Sequence, residues 1–238
     1  AEALRLAAQA AELVADDAET RVAEGVVQAA AGDVQAAQEA FAAALAVNPA
    51  HAVALAGRAR LSGDPAAAVQ DLEAALEAYP RYAAAYLELA TLQREAGNEQ
   101  SALQTLRTGT SRVPESAGLA SAFVAEAVRA GNTAEAVSFL ERLLERPDPA
   151  PSLYALAASL PAERSERALA ILREGRRAYP EDAALALAES EMLGKTGDYA
   201  GAERVLRGAQ GFAPDNPELA NQLALALDQQ GETAEAAA

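Results

Sequence analysis

The chain is 238 residues long, carries 35 acidic against 19 basic side chains for a formal charge of -16, and contains neither cysteine nor tryptophan. Such a field repels nucleic-acid phosphates and anionic membrane surfaces, so neither is an expected partner. Without a thiol, disulfides, cysteine nucleophiles and cysteine-bound zinc are excluded, while the compartment stays open between cytoplasm and periplasm.

Alanine occupies 67 positions and aromatic residues only ten. Alanine is the best helix former and the smallest side chain that still packs, so this composition predicts closely approaching helices. No segment alternates apolar and polar residues as a half-buried strand does. No run reaches the roughly 18 to 20 apolar residues of a membrane span. The start, AEALRLAAQA, lacks the basic-then-apolar build of a signal peptide.

In chain order, Ala3, Ala7 and Ala10 form a small-residue stripe that predicts a second helix over residues 1–17. From Gly32, landmarks then fall at Ala37, Phe41, Ala44 and Pro49. The same steps lead from Gly63 to Ala68, Leu72, Ala75 and Pro80, and from Gly97 to Ala102, Leu106, Gly109 and Pro114. Weaker copies start at Gly131 and Glu163, an intact one runs from Gly197 to Pro214, and another opens at Gly231. The turns are 31, 34, 34, 32, 34 and 34 residues apart, the period of a helical solenoid.

Each landmark has a physical task. Glycine closes one helix in the left-handed conformation, and the following Asp or Asn caps the next. The small and large apolar residues at three- and four-residue steps make one buried stripe, and proline stops the helix. The unit is an antiparallel helix pair with Phe41, Leu72, Leu106, Leu140, Leu172 and Leu206 as wedges. Six pairs are expected at about 18–51, 52–82, 83–116, 117–150, 151–182 and 183–216, followed by the first helix of a seventh to residue 230 and the start of its second at 231–238. A chain that opens and closes in mid-unit is expected to be a piece of a longer array.

These residues resemble the tetratricopeptide repeat family, and Gly25 fits its first-helix glycine. The first-helix tryptophan is missing, two units are short, and RPDPAP at 146–151 is unusually rich in proline. The resemblance implies an all-α, right-handed superhelical solenoid that binds a protein segment on its concave side.

No residue cluster carries an obvious reaction. His51 is the only histidine and reads as a solvated linker residue. Glu189 and Glu191 are two apart on a helix and point in different directions, so the carboxylates read as a solubilising surface. Arg164, Arg167, Arg173, Arg176 and Arg177 read as a charge-paired outer face. Tyr79, Tyr82 and Tyr86 are expected to pack a junction with their hydroxyls wet. No cofactor and no metal is expected.

The family's inward first-helix positions, ten and six residues before each turn, are Val22 and Val26, Val53 and Gly57, Leu87 and Thr91, and Ser121 and Ala125. Two or three residues before the turn stand Arg60, Arg94, Arg129 and Lys195. The predicted groove therefore has a small or apolar middle and a cationic margin. Helix-end cations are favoured by about 0.3 to 1 kcal/mol without any ligand, and a ligand role remains open beside that explanation. If the row does bind, it selects an acidic or carboxylate-bearing protein segment. The expected function is a non-enzymatic interaction scaffold within a larger assembly. The alternative is the recognition arm of a larger bacterial machine, such as an exopolysaccharide-export scaffold or an enzyme catalysing elsewhere.

Overall fold

The computed structural model describes residues 17–231. The half units expected at 1–17 and 231–238 lie, except for Asp17 and Gly231, outside the described residues. Secondary structure among the described residues is entirely helical. In order, the helices are α1 Ala18–Ala31, α2 Val34–Val47, α3 Ala52–Arg60, α4 Pro65–Ala78, α5 Ala83–Glu95, α6 Glu99–Arg112 and α7 Ala117–Arg129. They continue as α8 Thr133–Leu144, α9 Pro151–Ala155, α10 Ser165–Ala178, α11 Ala183–Lys195, α12 Tyr199–Gln210 and α13 Pro217–Gln229. None of them is long and apolar enough to cross a membrane. The chain divides into two compact units, residues 1–122 and 123–238, with the division inside α7.

In the first unit α1 packs on α2, α3 on α4 and α5 on α6, and α2 and α4 also pack on the first helix of the following pair. The wedges Phe41, Leu72 and Leu106 are all buried. Phe41 has glycine on both sides: a Cβ added at Gly25 would lie 2.7 Å from its Cε1, and one at Gly57 would lie closer still. Two successive first helices thus approach one ring because neither carries a side chain there. Gly57 is committed to this packing.

In the second unit α10 packs on α11, α11 on α12 and α12 on α13, around Leu193, Leu206, Leu219 and Leu223. Leu140 and Leu172 are also buried, and Phe123 meets Phe139 edge-on at 4.7 Å. The pair at 151–178 has the shortest first helix. Five residues of α9 pass into 3-10 turns at Leu156–Ser159 and Ala162–Arg164, separated by Leu160 and Pro161. Pro161 lacks the N–H that a continuing helix requires, and it forces Leu160 into extended geometry. The Tyr179 hydroxyl lies 3.0 Å from both the Asp148 carboxylate and the Pro149 carbonyl, tying the linker to the end of α10.

The punctuation works in most places and differs in a few. Gly32, Gly97, Gly131, Gly197 and Gly231 have φ between 76 and 82°, the left-handed closure. Gly63 does not; α3 is only nine residues long and ends on Leu61 in right-handed geometry. Asp33, Asp64 and Asp198 accept cap hydrogen bonds from Ala36, Ala66 and Gly201. Asn98 and Asn132 make no side-chain cap bond, whereas Asn216 accepts from the Glu218 N–H at 2.9 Å at the start of α13.

His51 is a cap and not a solvated linker residue. Its Nδ1 accepts the Ala54 N–H at 3.4 Å and its Nε2 lies 3.1 Å from Glu19 Oε1, with the ring 10% exposed. Because Nδ1 must accept, the neutral ring carries its proton on Nε2 and donates it to Glu19. The carboxylates are not all surface either, since Glu126 and Glu189 are buried, each against arginine. Tyr79 is exposed with its ring centroid 6.3 Å from that of Tyr82. Tyr86, however, is buried and donates to the Pro80 carbonyl at 3.1 Å, so its hydroxyl is satisfied by protein.

Candidate partner-binding groove

The first unit holds a cavity of about 370 Å³ between the α3–α4 pair and α5. Ala59 and Arg60 of α3, Ala68 and Leu72 of α4, and Leu87 and Thr91 of α5 line it. Its shape follows from the repeat chemistry. Alanines at the helix contacts let α3 and α4 approach closely, and Leu72 fills the wedge between pairs. The half-buried Leu87 and Thr91 one turn apart on α5 are left facing the space.

Arg60 and Glu88 close one rim. The Arg60 Nε donates to Glu88 Oε1 at 3.0 Å, and a terminal guanidinium nitrogen bonds the same oxygen. The hydrogen bond to Glu88 raises the Arg60 pKa above its already high value against the opposing cost of burial, so Arg60 stays charged throughout. The rim is a neutral pair on an apolar cavity.

Three expected groove residues, Arg60, Leu87 and Thr91, come together here. Val26 and Val53 are exposed apolar residues on α1 and α3, 49% and 38% accessible, outside the cavity. Val22 is not groove surface: it is buried with Ala37, Phe41 and Leu55 in the core below. Both valines lie on the same face of α1, one turn apart, but Val22 is covered by the Phe41 and Leu55 cluster while Val26 extends past it into solvent. Arg94 is half-buried at the end of α5, and Ser121 and Ala125 are exposed on α7. Arg129 pairs with the buried Glu126 one turn earlier.

The second unit has a counterpart of about 360 Å³, lined by Ala155, Ala158, Leu187, Glu191, Glu218 and Gln222 among others. These belong to the first-helix segments of successive pairs, with Leu187 and Glu191 ten and six residues before Gly197. Sequence reasoning missed them, although the count that gave Leu87 and Thr91 reaches them. It also missed Glu88, whose signal was a carboxylate beside an inward position and 28 residues after a helix-end arginine. Lys195, the fourth cation of the expected margin, bonds Glu191 at 2.8 Å and donates to the Ala158 carbonyl at 2.5 Å. Arg60, Arg129 and Lys195 therefore each have a carboxylate partner, which changes the character of the predicted margin.

Among the described residues no group of His, Cys, Asp and Glu is placed to hold a metal ion. No curated protein matches the sequence. Among solved structures, a tetratricopeptide repeat protein from Parabacteroides merdae is similar with a TM-score of 0.63 and 18% identity, over 92% of this chain and 89% of that one. Yeast Tom70 matches with a TM-score of 0.62 and 14% identity over 99% of this chain and 52% of its own. MamA matches with a TM-score of 0.50 and 19% identity over 60% and 85%. At these identities the likeness is one of fold. Models of the tetratricopeptide repeat match residues 59–126 and 160–217, together more than half the chain. With the helix pairs and their turn glycines in the same register, the chain belongs to the tetratricopeptide repeat family.

Proposed function

We propose that the chain is a non-enzymatic interaction scaffold that takes apolar side chains of a partner polypeptide into the cavity between α3–α4 and α5. The observation that carries this reading is the cavity itself: preformed, mainly apolar, and edged by Arg60 and Glu88. A preformed helical surface binds a segment without first ordering itself, which lowers the cost of association. Leu87 supplies apolar contact and Thr91 a hydroxyl that hydrogen-bonds partner backbone. An acidic partner group engages Arg60 only by exchanging with Glu88, so apolar fit dominates affinity and acidity adds selectivity.

A photo-crosslinking residue at position 91, compared with one at exposed Gln70 on α4, tests the reading in the source cell. Crosslinks to a discrete polypeptide from position 91 and not from position 70 support it. Crosslinks from position 70 alone overturn it.

A further inference from the structure

A different part of the second unit concentrates cations. Arg173 and Arg176 of α10 and Arg204 of α12 line a cleft of about 270 Å³, whose other walls include Leu193 and Val205. Glu189 of α11 lies in the same cleft with its side chain only 4% exposed. One oxygen of Glu189 accepts from Arg173 Nε at 3.0 Å and the other from Arg176 Nη1 at 2.6 Å.

A single carboxylate thus holds two guanidinium groups, and it neutralises only one of them. Arg204, exposed on the opposite wall, makes no ion pair among the described residues. The remaining carboxylate, Asp198, has Oδ1 engaged by the Gly201 N–H at 2.8 Å as the cap of α12. Arg173, Arg176 and Arg204 against Glu189 and Asp198 leave one positive charge in excess, in a chain whose net charge is -16. A guanidinium has five N–H donors, and Glu189 uses one from each of its two partners, so most donors stay available.

We propose that this cleft binds a single carboxylate carried by a partner polypeptide. Glu189 acts as the internal tether that fixes Arg173 and Arg176 before the ligand arrives, and Arg204 closes on the ligand from α12. Fixed guanidinium forks recognise carboxylates with two parallel hydrogen bonds and lose less side-chain freedom in doing so. The monoanion matches the single excess charge, whereas a phosphoryl dianion overshoots it and meets the repulsion of the whole chain. The site is built wholly from the second unit, and the proposal does not depend on the α3–α5 cavity of the first.

The test is an NMR titration of the whole chain, read at the arginine Nε–Hε resonances. The probes are acetyl-Gly-Glu-Gly-amide, its Gln and phosphoserine analogues, and acetyl-Gly-Gly-Gly with a free carboxyl terminus. The Glu peptide, the free-terminus peptide or both should shift Arg173 and Arg176 saturably, and the Gln peptide should not; which of the two binds identifies side chain or chain terminus as the source. Arg204→Gln, which leaves the Glu189 contacts intact, should weaken binding about fivefold or more. Arg177→Gln, the same charge change on α10 at an exposed residue that does not line the cleft, should leave it within about twofold, since it removes no donor from the site and an exposed charge is screened. The absence of saturable shifts with either carboxylate overturns the proposal, as does an equal loss from Arg177→Gln. Tighter binding of the phosphoserine peptide than of either carboxylate overturns the assignment to a carboxylate.

Discussion

The ring of Phe41 packs directly on the α carbon of Gly57, leaving no room for a methyl group there. This contact joins the first two helix pairs, because Phe41 belongs to α2 and Gly57 to α3. Alanine at 57 gains up to about 1 kcal/mol of helix propensity and loses about 1 to 3 kcal/mol by overpacking a ring that has Gly25 behind it. Gly57→Ala is therefore expected to lower stability in urea unfolding. Adding Phe41→Leu should recover part of the loss; strictly additive effects would show that the ring and the glycine do not compete for the same space.

His51 caps α3, the shortest helix of the first unit, through the Ala54 N–H. His51→Ala should cost about 0.5 to 2 kcal/mol and His51→Asn only a few tenths, because asparagine restores the acceptor. Thermal melts of the two variants check this. Equal losses would assign the role of His51 to its contact with Glu19.

Glu88 holds Arg60 at the rim of the cavity. Arg60 is 60% exposed, so the pair contributes at most about 1 kcal/mol to stability and Glu88→Gln should leave the melting temperature nearly unchanged. The same change frees Arg60 for a ligand. Among peptides selected on the unaltered chain, those with an acidic residue should bind Glu88→Gln several-fold more tightly, with a gain that shrinks at high salt, about as expected for screened charges. Leu87→Glu should abolish binding of all of them. Fluorescence anisotropy measures both, and unchanged binding by Leu87→Glu would remove the cavity from consideration.

Four tyrosines have pKa values raised above the ordinary 10.0: Tyr82, Tyr86 and Tyr154 mainly by burial, and Tyr179 mainly by its hydrogen bond to Asp148. A raised folded-state value means that the fold favours the protonated phenol. The resulting stability is complete below the unfolded value near pH 10 and is lost as pH rises through the folded values. Unfolding midpoints should therefore fall above about pH 10. Tyrosinate absorbance should rise at higher pH in the folded chain than in urea. Tyr179→Phe should remove part of that delay, and coincident titration curves would contradict it.

The repeat was legible because its signals are local. Glycine at the left-handed position, aspartate one residue later, proline after the last turn and a small–large–small stripe each act within one helix pair, and their recurrence needs no knowledge of neighbouring pairs. Phe41, Leu72 and Leu206 could be named as wedges for the same reason. The cavity was half legible: Leu87 and Thr91 follow from helical period, yet Val22 at the corresponding position is buried, because its depth depends on how closely α1 and α3 approach α2. That approach is set by Gly25 and Gly57 against a single ring. Charge pairing was the least legible, since Arg60 with Glu88 and Arg173 with Glu189 join side chains 28 and 16 residues apart. The sequence by itself determined the helices, their pairing and the wedges, because those depend on backbone propensity and local period. Only the tertiary structure decided which cations are paired with which carboxylates, because that depends on distances between helices that no local pattern encodes.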